Sequence, residues 1–278
     1  MMTGGFMGKK AFSRRDFLLL LGIGGAGTAA ACAGVSLTAL ILLKNRPQDS
    51  TPSPIRIQIN QTQIDSLRPQ IISRAEWGAL QPNLSARNEQ DYYSLNNPEG
   101  WRVYNEDLTD AYQTAVIHHS VLYADDDLSS VREVQISHRN ERGWADIGYH
   151  YLVGKDGSLY EGRDIHVRGT HVGGFNTGSV GICLLGNFVN DAPTAAQITA
   201  TYSVLAWLSV RLQLTHLAGH NTFNNETQCP GTNLIPYLPD FASANSLQLG
   251  AGGYIPPPEQ EVTPSAYRGC GCGCCVDV

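Results

Sequence analysis

The sequence has too few cysteines in the right places for a small domain held together by disulfide bonds. Of its seven cysteines, only Cys183 and Cys229 lie in the body of the chain. Cys32 falls in an apolar N-terminal run, and the other four crowd the last nine residues. A disulfide framework needs several paired cysteines inside the domain. The body must therefore be stabilised by a hydrophobic core.

Basic clusters are also missing outside the N-terminus. Charged residues make up only 16% of the chain, and the formal net charge is -6. Nucleic-acid-binding domains usually carry a basic stripe or patch, so nucleic acid is excluded as an expected partner. The chain contains no internal repeat and no His-Glu-x-x-His helix, which disfavours a zinc peptidase of that type. The mild negative charge points to no particular class of substrate.

The N-terminus has the pattern of an export signal. Four basic residues precede an apolar stretch at residues 17–43, namely Lys9, Lys10, Arg14 and Arg15. The segment Ser-Arg-Arg-Asp-Phe-Leu at 13–18 resembles the bacterial twin-arginine signal. The alternative is a Sec-type signal with a chance arginine pair. The twin-arginine interpretation is favoured because both arginines directly precede the Phe-Leu that opens the apolar run.

The fate of this signal after export has two interpretations. The tripeptide Ala-Ala-Ala at 29–31, followed by Cys32, offers a cleavage site or a weak lipobox. However, residues 35–43 remain apolar beyond Cys32, and Lys44 and Arg46 follow. That pattern suits an uncleaved membrane anchor better than a short signal peptide. We expect residues 1–48 to be the signal and anchor, which places the protein outside the cytoplasm on the membrane.

The remaining chain divides into a linker, one domain and a tail. A proline-rich polar stretch predicts a linker at 49–68. Residues 69–243 are expected to form one monomeric domain, and residues 244–278 a Gly- and Pro-rich tail. The four cysteines of the tail allow three interpretations: fortuitous residues in a flexible tail, soft-metal capture, or intermolecular disulfides. Their spacing does not give the Cys-x-x-Cys pairs of a zinc module.

Hydrophobic patterns within the domain alternate between strands and helices. Strands are expected at 114–118, 149–153, 158–161 and 180–185, with a hairpin turn at Lys155-Asp156-Gly157. Ser130-x-x-Glu133 is a capping-box candidate for a helix that Gly143 ends. Thr194 can cap a long helix that runs to Leu212. The sequence therefore predicts an α/β fold with a mixed central β-sheet flanked by helices.

Separate segments of the domain carry residues that zinc binds. They are the pair His118-His119, His220 after Gly219, and Cys229 before Pro-Gly. Two histidines and a thiol give zinc three protein ligands and leave a fourth position for water, as in catalytic sites. Adjacent residues of a strand point to opposite faces, so only one of His118 and His119 should reach the metal.

The order of motifs resembles the zinc-dependent N-acetylmuramoyl-L-alanine amidases, the family that includes T7-type lysozyme and peptidoglycan recognition proteins. The resemblance covers about 170 residues in several blocks. They are Arg-Ala-Glu-Trp-Gly-Ala at 74–79, Val-Ile-His-His-Ser at 116–120, Gly-Trp-Ala-Asp-Ile-Gly-Tyr at 143–149, Asp-Gly-Ser-Leu-Tyr-Glu-Gly-Arg at 156–163, Gly-Thr-His at 169–171, Ser-Val-Gly-Ile at 179–182, Gly-His at 219–220 and Cys-Pro-Gly at 229–231.

The resemblance assigns roles to particular residues. It implies that His118, His220 and Cys229 bind zinc, and that Tyr149 is the catalytic tyrosine, hydrogen-bonding the attacking water or the developing oxyanion. Thr227 falls where relatives have Lys or Thr beside the reacting carbonyl, which implies a smaller catalytic role. His119 and His171 are assigned to the substrate groove.

The activity implied is cleavage of the amide between the lactyl group of N-acetylmuramic acid and L-alanine, in peptidoglycan or muropeptides. The alternative is a non-catalytic peptidoglycan-binding module. Binding-only members of the family lose the cysteine ligand, so Cys229 together with Tyr149 favours the enzyme.

The chain departs from the family pattern in three ways. His220 and Cys229 are nine residues apart, one more than usual, which suggests a lengthened loop. The segment between Ala79 and Thr114 is long and carries no assigned motif. The disulfide of the animal recognition proteins is missing, which suits a bacterial member.

Overall fold

A computed structural model of the chain describes residues 60–252. Within these residues a six-stranded sheet has the strand order β3-β2-β4-β1-β5-β6. Its strands are β1 (Thr114–His119), β2 (Tyr151–Val153), β3 (Leu159–Glu161), β4 (Ser179–Leu184), β5 (His216–Gly219) and β6 (Gln248–Leu249). Only β3 pairs antiparallel, through a hairpin with β2; the other pairings are parallel. The predicted mixed sheet and hairpin are confirmed.

Helices cover both faces of the sheet. They are α1 (Gln61–Leu67), α2 (Arg74–Trp77), α3 (Leu108–Ala111), α4 (Asp127–Asn140), α5 (Ala195–Leu212), α6 (His220–Phe223) and α7 (Leu238–Ala244), with a 3-10 turn at Ile235–Tyr237. The parallel strands β1, β4 and β5 are buried along their whole length, as expected for strands covered on both faces. This is the α/β layer architecture that the sequence predicts.

Alternation along β1 sorts its side chains between two cores. Ala115 and Ile117 join the larger cluster with α5 and α7. Cys183 of β4, paired with His118, joins the smaller cluster with Val131 and Val134 of α4. Because paired residues of parallel strands share a face, His118 lies on the α4 side of the sheet and His119 on the other. The predicted opposite orientation of the two histidines is confirmed.

Helix α4 begins earlier than the predicted capping box, Ser130-x-x-Glu133, indicated. Helix α4 starts at Asp127, and the side chain of Asp126 accepts a hydrogen bond from Ser129 N. Ser130 lies inside the first turn, where its hydroxyl donates to Asp126 O. An aspartate is as good an N-cap as a serine, and here it comes first. Thr194, by contrast, caps α5 in a full capping box with Gln197, as predicted.

The ordered domain extends beyond the predicted limits 69–243 at both ends. The predicted linker, residues 49–68, contains helix α1, which Asn60 and Gln63 cap and whose Ile64 packs against the larger core. The predicted tail contains β6, which pairs with β5. The export signal and the cysteine-rich end of the tail lie outside the described residues. None of the helices in 60–252 is long and apolar enough to span a membrane.

The segment without an assigned motif between Ala79 and Thr114 packs on the domain through a buried ion pair. The guanidinium of Arg163 is fully buried, and its Nη2 atom lies 2.9 Å from Glu89 Oε2. The same guanidinium lies 4.7 Å from the ring centroid of Trp101. Glu89 also accepts from Ala145 N. The segment therefore fixes the turn that leads into Tyr149.

Candidate metal centre

The three predicted ligands lie together beside the sheet. His118 Nδ1 is 3.5 Å from Cys229 Sγ, and the His118 and His220 rings have centroids 4.8 Å apart. One potential ligand atom from each of His118, His220 and Cys229 falls within 4.8 Å of the others. His118 and Cys229 are buried, while His220 is partly exposed. The group is therefore closed on the protein side and open toward the cleft.

Strand pairing and a short helix bring these side chains together. Ile117 pairs with Gly219 across β1 and β5, so His118 and His220 follow adjacent positions at the same end of the sheet. His220 begins α6 directly after β5. A Cβ on Gly219 would come within 2.7 Å of Asn221 Oδ1, so glycine allows this tight passage from strand to helix.

The loop that carries Cys229 is held by hydrogen bonds on both sides of the thiol. Cys229 N donates to Thr227 Oγ1 (3.2 Å), and Asn221 N donates to Cys229 O (2.9 Å). Gly231 N donates to Gln228 O (2.7 Å). The nine-residue spacing from His220, one longer than the family usually has, still delivers the sulfur to His118.

His119 supports the thiol from behind. Its backbone N–H donates to Cys229 Sγ (3.4 Å), while its Nδ1 atom accepts from Phe188 N (3.2 Å). The side chain is nearly buried but still borders the cleft. Burial and the nearby His220 lower the pKa of His119 to about 4, so its ring is neutral near pH 7.

Burial sets the protonation of the three ligands. It lowers the pKa of His118 and of His220, so both imidazoles are neutral at pH 7. Burial raises the pKa of the Cys229 thiol to about 12, and the hydrogen bond from His119 N acts in the opposite direction. Two neutral imidazoles and one thiol, with a backbone N–H already directed at the sulfur, fit zinc in number and type.

A cleft of about 870 Å³ opens over this group. It is lined by residues within four segments, 119–122, 134–142, 187–190 and 226–229, together with Tyr149 and His220. The α4 side contributes Glu141 and Arg142, while the segment after β4 contributes Asn187 and Asn190. The cleft therefore offers charged groups on one segment and amides on another around the candidate metal centre.

Tyr149 borders the cleft next to the candidate ligands. It precedes β2 instead of forming part of the strand, and its ring centroid is 5.1 Å from that of His118. Burial and the neighbouring thiols raise its pKa well above the usual value, with a hydrogen bond to the Cys183 thiol contributing. The phenol is therefore a neutral hydrogen-bond donor at physiological pH.

Thr227 also borders the cleft, two residues before the cysteine ligand. Its Oγ1 atom accepts from Cys229 N, so the side chain helps to shape the ligand loop. A hydroxyl has one proton to donate, and this bond does not use it. The structure thus gives Thr227 a place from which it can donate a single hydrogen bond into the cleft.

His171 lies elsewhere than the groove position expected from sequence. It is buried beneath His118, with 6% of its surface exposed, and its Nδ1 atom is 3.0 Å from His118 Nε2. It does not line the cleft, and its ring packs against His118 on the side away from Cys229. The interaction that the structure shows is with a ligand side chain.

His138 and the charged residues Glu141 and Arg142 also line the cleft. His138 Nδ1 accepts from Gly148 N (3.0 Å), and its ring lies 5.2 Å from that of Tyr149. Burial and two arginines lower its pKa to about 3. Val134, Ser137 and His138 of α4 and Glu141 at its C-cap have the i, i+3, i+4, i+7 spacing of one helix face, and that face lines the cleft.

Comparison with known proteins finds similarity to amidases and to peptidoglycan-recognition proteins. The family model for N-acetylmuramoyl-L-alanine amidase matches residues 108–232. The chain is 36% identical over 171 residues to peptidoglycan-recognition protein SC2 of Drosophila melanogaster, which covers 59% of this chain and 82% of that protein. It is 36% identical over 114 residues to the human N-acetylmuramoyl-L-alanine amidase, covering 40% of this chain and 20% of that protein. The Drosophila peptidoglycan recognition protein SA structure aligns with TM-score 0.51 and 27% identity, covering 62% of this chain and 92% of that one.

Proposed function

The chain belongs to the family of N-acetylmuramoyl-L-alanine amidases and peptidoglycan-recognition proteins, and from this premise we propose that it is a zinc-dependent amidase. The bond cut is the amide between the lactyl group of N-acetylmuramic acid and the L-alanine of the stem peptide. One observation carries the proposal: His118, His220 and Cys229 come together, and His220 and Cys229 line a cleft that Tyr149 also borders.

The three ligands would hold zinc between β1, the start of α6 and the Cys229 loop. When bound, zinc supplies Lewis-acid polarisation of the carbonyl and lowers the pKa of water to about 7. The protein keeps two of the ligands buried and leaves His220 partly exposed toward the cleft. The N–H of His119 compensates charge on the sulfur of Cys229.

Tyr149 would act as a hydrogen-bond donor to the oxygen that gains negative charge. Its raised pKa keeps the proton on the phenol, and its ring lies beside His118, which supports a role next to the reacting carbonyl. A donor aimed at developing charge stabilises the transition state more than the ground state. Thr227 would add a weaker, uncharged hydrogen bond from the other side of Cys229.

Recognition without cleavage is the second candidate function. It is supported by the similarity to peptidoglycan-recognition protein SC2, whose name states recognition of peptidoglycan. The presence of both Cys229 and Tyr149 favours the enzyme, because a binding module needs neither a thiol ligand nor a phenol proton in its cleft. An amidase and a recognition module would bind the same substrate, and only the amidase would cleave it.

We also propose that the protein acts outside the cytoplasmic membrane. The arginine pair and apolar stretch at residues 13–43 support this location. Peptidoglycan lies there, so the proposed substrate and the proposed location agree. Fractionation of cells with and without a functional twin-arginine pathway tests the route, since blocking that pathway should retain the protein in the cytoplasm.

Digestion of purified peptidoglycan by the zinc-loaded protein tests the activity. We expect new L-alanine amino groups, detected by amine labelling and mass spectrometry of the released stem peptides. The Cys229→Ser variant is the matched control, because it removes a ligand and leaves the cleft otherwise unchanged. Zinc-loaded protein that binds the polymer and frees no amine would replace the amidase with the recognition module.

A further inference from the structure

We propose that His171 is a positioning residue that orients His118 for zinc. The inference deepens the proposed function, since it rests on zinc binding at His118. His171 does not line the cleft. It makes no hydrogen bond to His220 or Cys229. It acts through Nε2 of His118, the ring nitrogen that does not face Cys229.

The contacts fix which nitrogen of His118 faces the metal. Its Nε2 atom is 3.0 Å from His171 Nδ1, and its Nδ1 atom faces Cys229 Sγ. Zinc binding through Nδ1 therefore requires the proton of His118 to be on Nε2. That N–H donates to His171 Nδ1, which must then be the unprotonated nitrogen of His171.

The second nitrogen of His171 completes the chain of bonds. Its Nε2 atom lies 3.4 Å from the carbonyl oxygen of Ser179, and a carbonyl can only accept. The proton of His171 is thus on Nε2, which leaves Nδ1 free to accept from His118. Each donor has an acceptor in this arrangement, so one tautomer of each ring is selected. Partners of this kind orient metal-bound histidines in other proteins.

Two glycines leave the space that the His171 ring occupies. A Cβ on Gly181 would lie 2.7 Å from this ring, and one on Gly169 would lie 2.5 Å from it. The backbone of His171 is also fixed, because Asn176 Oδ1 accepts from the N–H groups of His171 and Val172 at 2.7 Å each. Gly169, Gly181 and Asn176 thus hold the His171 ring under His118. The planes of the two imidazole rings are nearly perpendicular, at 85°.

Two substitutions of His171 separate orientation from simple filling of this space. His171→Asn can place its Oδ1 atom near the position of Nδ1 and keep an acceptor for His118. His171→Leu fills space and accepts nothing. Zinc affinity is measured on metal-free protein by competition with a chromogenic chelator. We expect His171→Leu to weaken it about 10- to 100-fold, and His171→Asn to stay within a few-fold of wild type.

A glycine substitution tests the same inference without changing any histidine. Gly181→Ala pushes the His171 ring away from His118 and should also weaken zinc binding. Gly173→Ala is its control, because a Cβ there meets nothing within 4 Å. Thermal unfolding of each metal-free variant shows whether the fold is kept. A Leu variant that does not fold leaves the Asn and Gly181→Ala comparisons to decide.

The inference is overturned if folded His171→Leu and Gly181→Ala bind zinc as tightly as wild type. It is also overturned if His171→Asn is as weak as His171→Leu, since the acceptor would then be irrelevant. These outcomes differ from a failure of the proposed function. Normal zinc affinity in wild type without peptidoglycan cleavage removes the amidase and leaves the role of His171 intact. A wild-type protein that binds no zinc overturns both.

Discussion

His118 Nδ1 and Cys229 Sγ lie 3.5 Å apart although 111 positions separate the two residues in the chain. The parallel pairing of β1 with β5 and the turn into α6 make this contact. Both residues are buried, so both atoms lose hydration, and Cys229 Sγ gains the hydrogen bond from His119 N beside its contact with His118. This geometry suits the metal site proposed for His118, His220 and Cys229.

Replacing the thiol should remove zinc from the protein. We expect Cys229→Ser to lower zinc affinity at least ~100-fold, since changes even outside the ligand set cost 10- to 100-fold. Cys183→Ser is the matched control, because Cys183 is the other free cysteine among residues 60–252 and is buried as well. Equilibrium dialysis with metal analysis gives the occupancy. Full occupancy in Cys229→Ser would show that the thiol is not a ligand.

Zinc binding should release one proton near pH 7. The Cys229 thiol has a pKa of about 12 in the metal-free protein, whereas a ligand must be the thiolate. The lowered pKa values of His118 and His220 leave these rings neutral, so they release none at that pH. Affinity should therefore rise about tenfold per pH unit around neutrality. Calorimetry in two buffers of different protonation enthalpy measures the proton, and identical heats would contradict the prediction.

Removing the phenol of Tyr149 should slow turnover and leave zinc in place. Loss of one donor to a developing oxyanion costs about 10²- to 10³-fold in kcat. Tyr149→Phe keeps the ring beside His118, so zinc occupancy should match wild type. Tyr202→Phe on α5, whose ring packs edge-on against Phe241 in the larger core, is the control. If Tyr149→Phe turns over at the wild-type rate, the phenol donates nothing to the transition state.

Replacing Val121 with glycine should stabilise the fold and weaken substrate binding. Val121 has a φ of 62°, which is unfavourable for a β-branched residue, and its N–H is held by Gly186 O. It borders the cleft with about half of its surface exposed. We expect Val121→Gly to raise stability by about 1 kcal/mol and to raise KM several-fold.

The control for Val121 is Gln213→Gly. Gln213 has a φ of 50° at the end of α5 and is exposed away from the cleft. Its substitution should raise the melting temperature without changing KM. Equal KM values for Val121→Gly and wild type would show that the strained residue does not contact substrate.

Breaking the buried ion pair should destabilise the domain strongly. Glu89→Gln leaves the fully buried guanidinium of Arg163 without its carboxylate, which costs about 3–5 kcal/mol in comparable pairs. Glu133→Gln, on the exposed side of α4, should change stability by less than ~0.5 kcal/mol. Urea unfolding measures both. A small effect of Glu89→Gln would mean that water reaches Arg163 in the folded protein.

Local patterns predicted much of the fold. Buried β-branched runs located β1 and β4, and Thr194 located the start of α5, because strand burial and helix capping depend on a few neighbouring residues. The start of α4 was misplaced because two capping candidates lie four residues apart, at Asp126 and Ser130. The ordered ends at α1 and β6 were missed because short elements owe their stability to the core they join.

The sequence by itself determined which chemical groups the site has. The residue types and their spacing predicted His220, Cys229 and one of two adjacent histidines as metal ligands, and the family resemblance added Tyr149. Strand alternation already required that only one of that pair face the metal. The family resemblance selected His118, which is the histidine of the pair that the structure groups with His220 and Cys229.

Only the tertiary structure decided how these groups are arranged. It placed His171 under His118 instead of in the groove, because the ring fits where Gly169 and Gly181 leave room. It also joined the segment without an assigned motif to the site through Glu89 and Arg163. Such contacts link residues that are far apart in sequence, and they arise from packing in the folded chain, which no local pattern encodes.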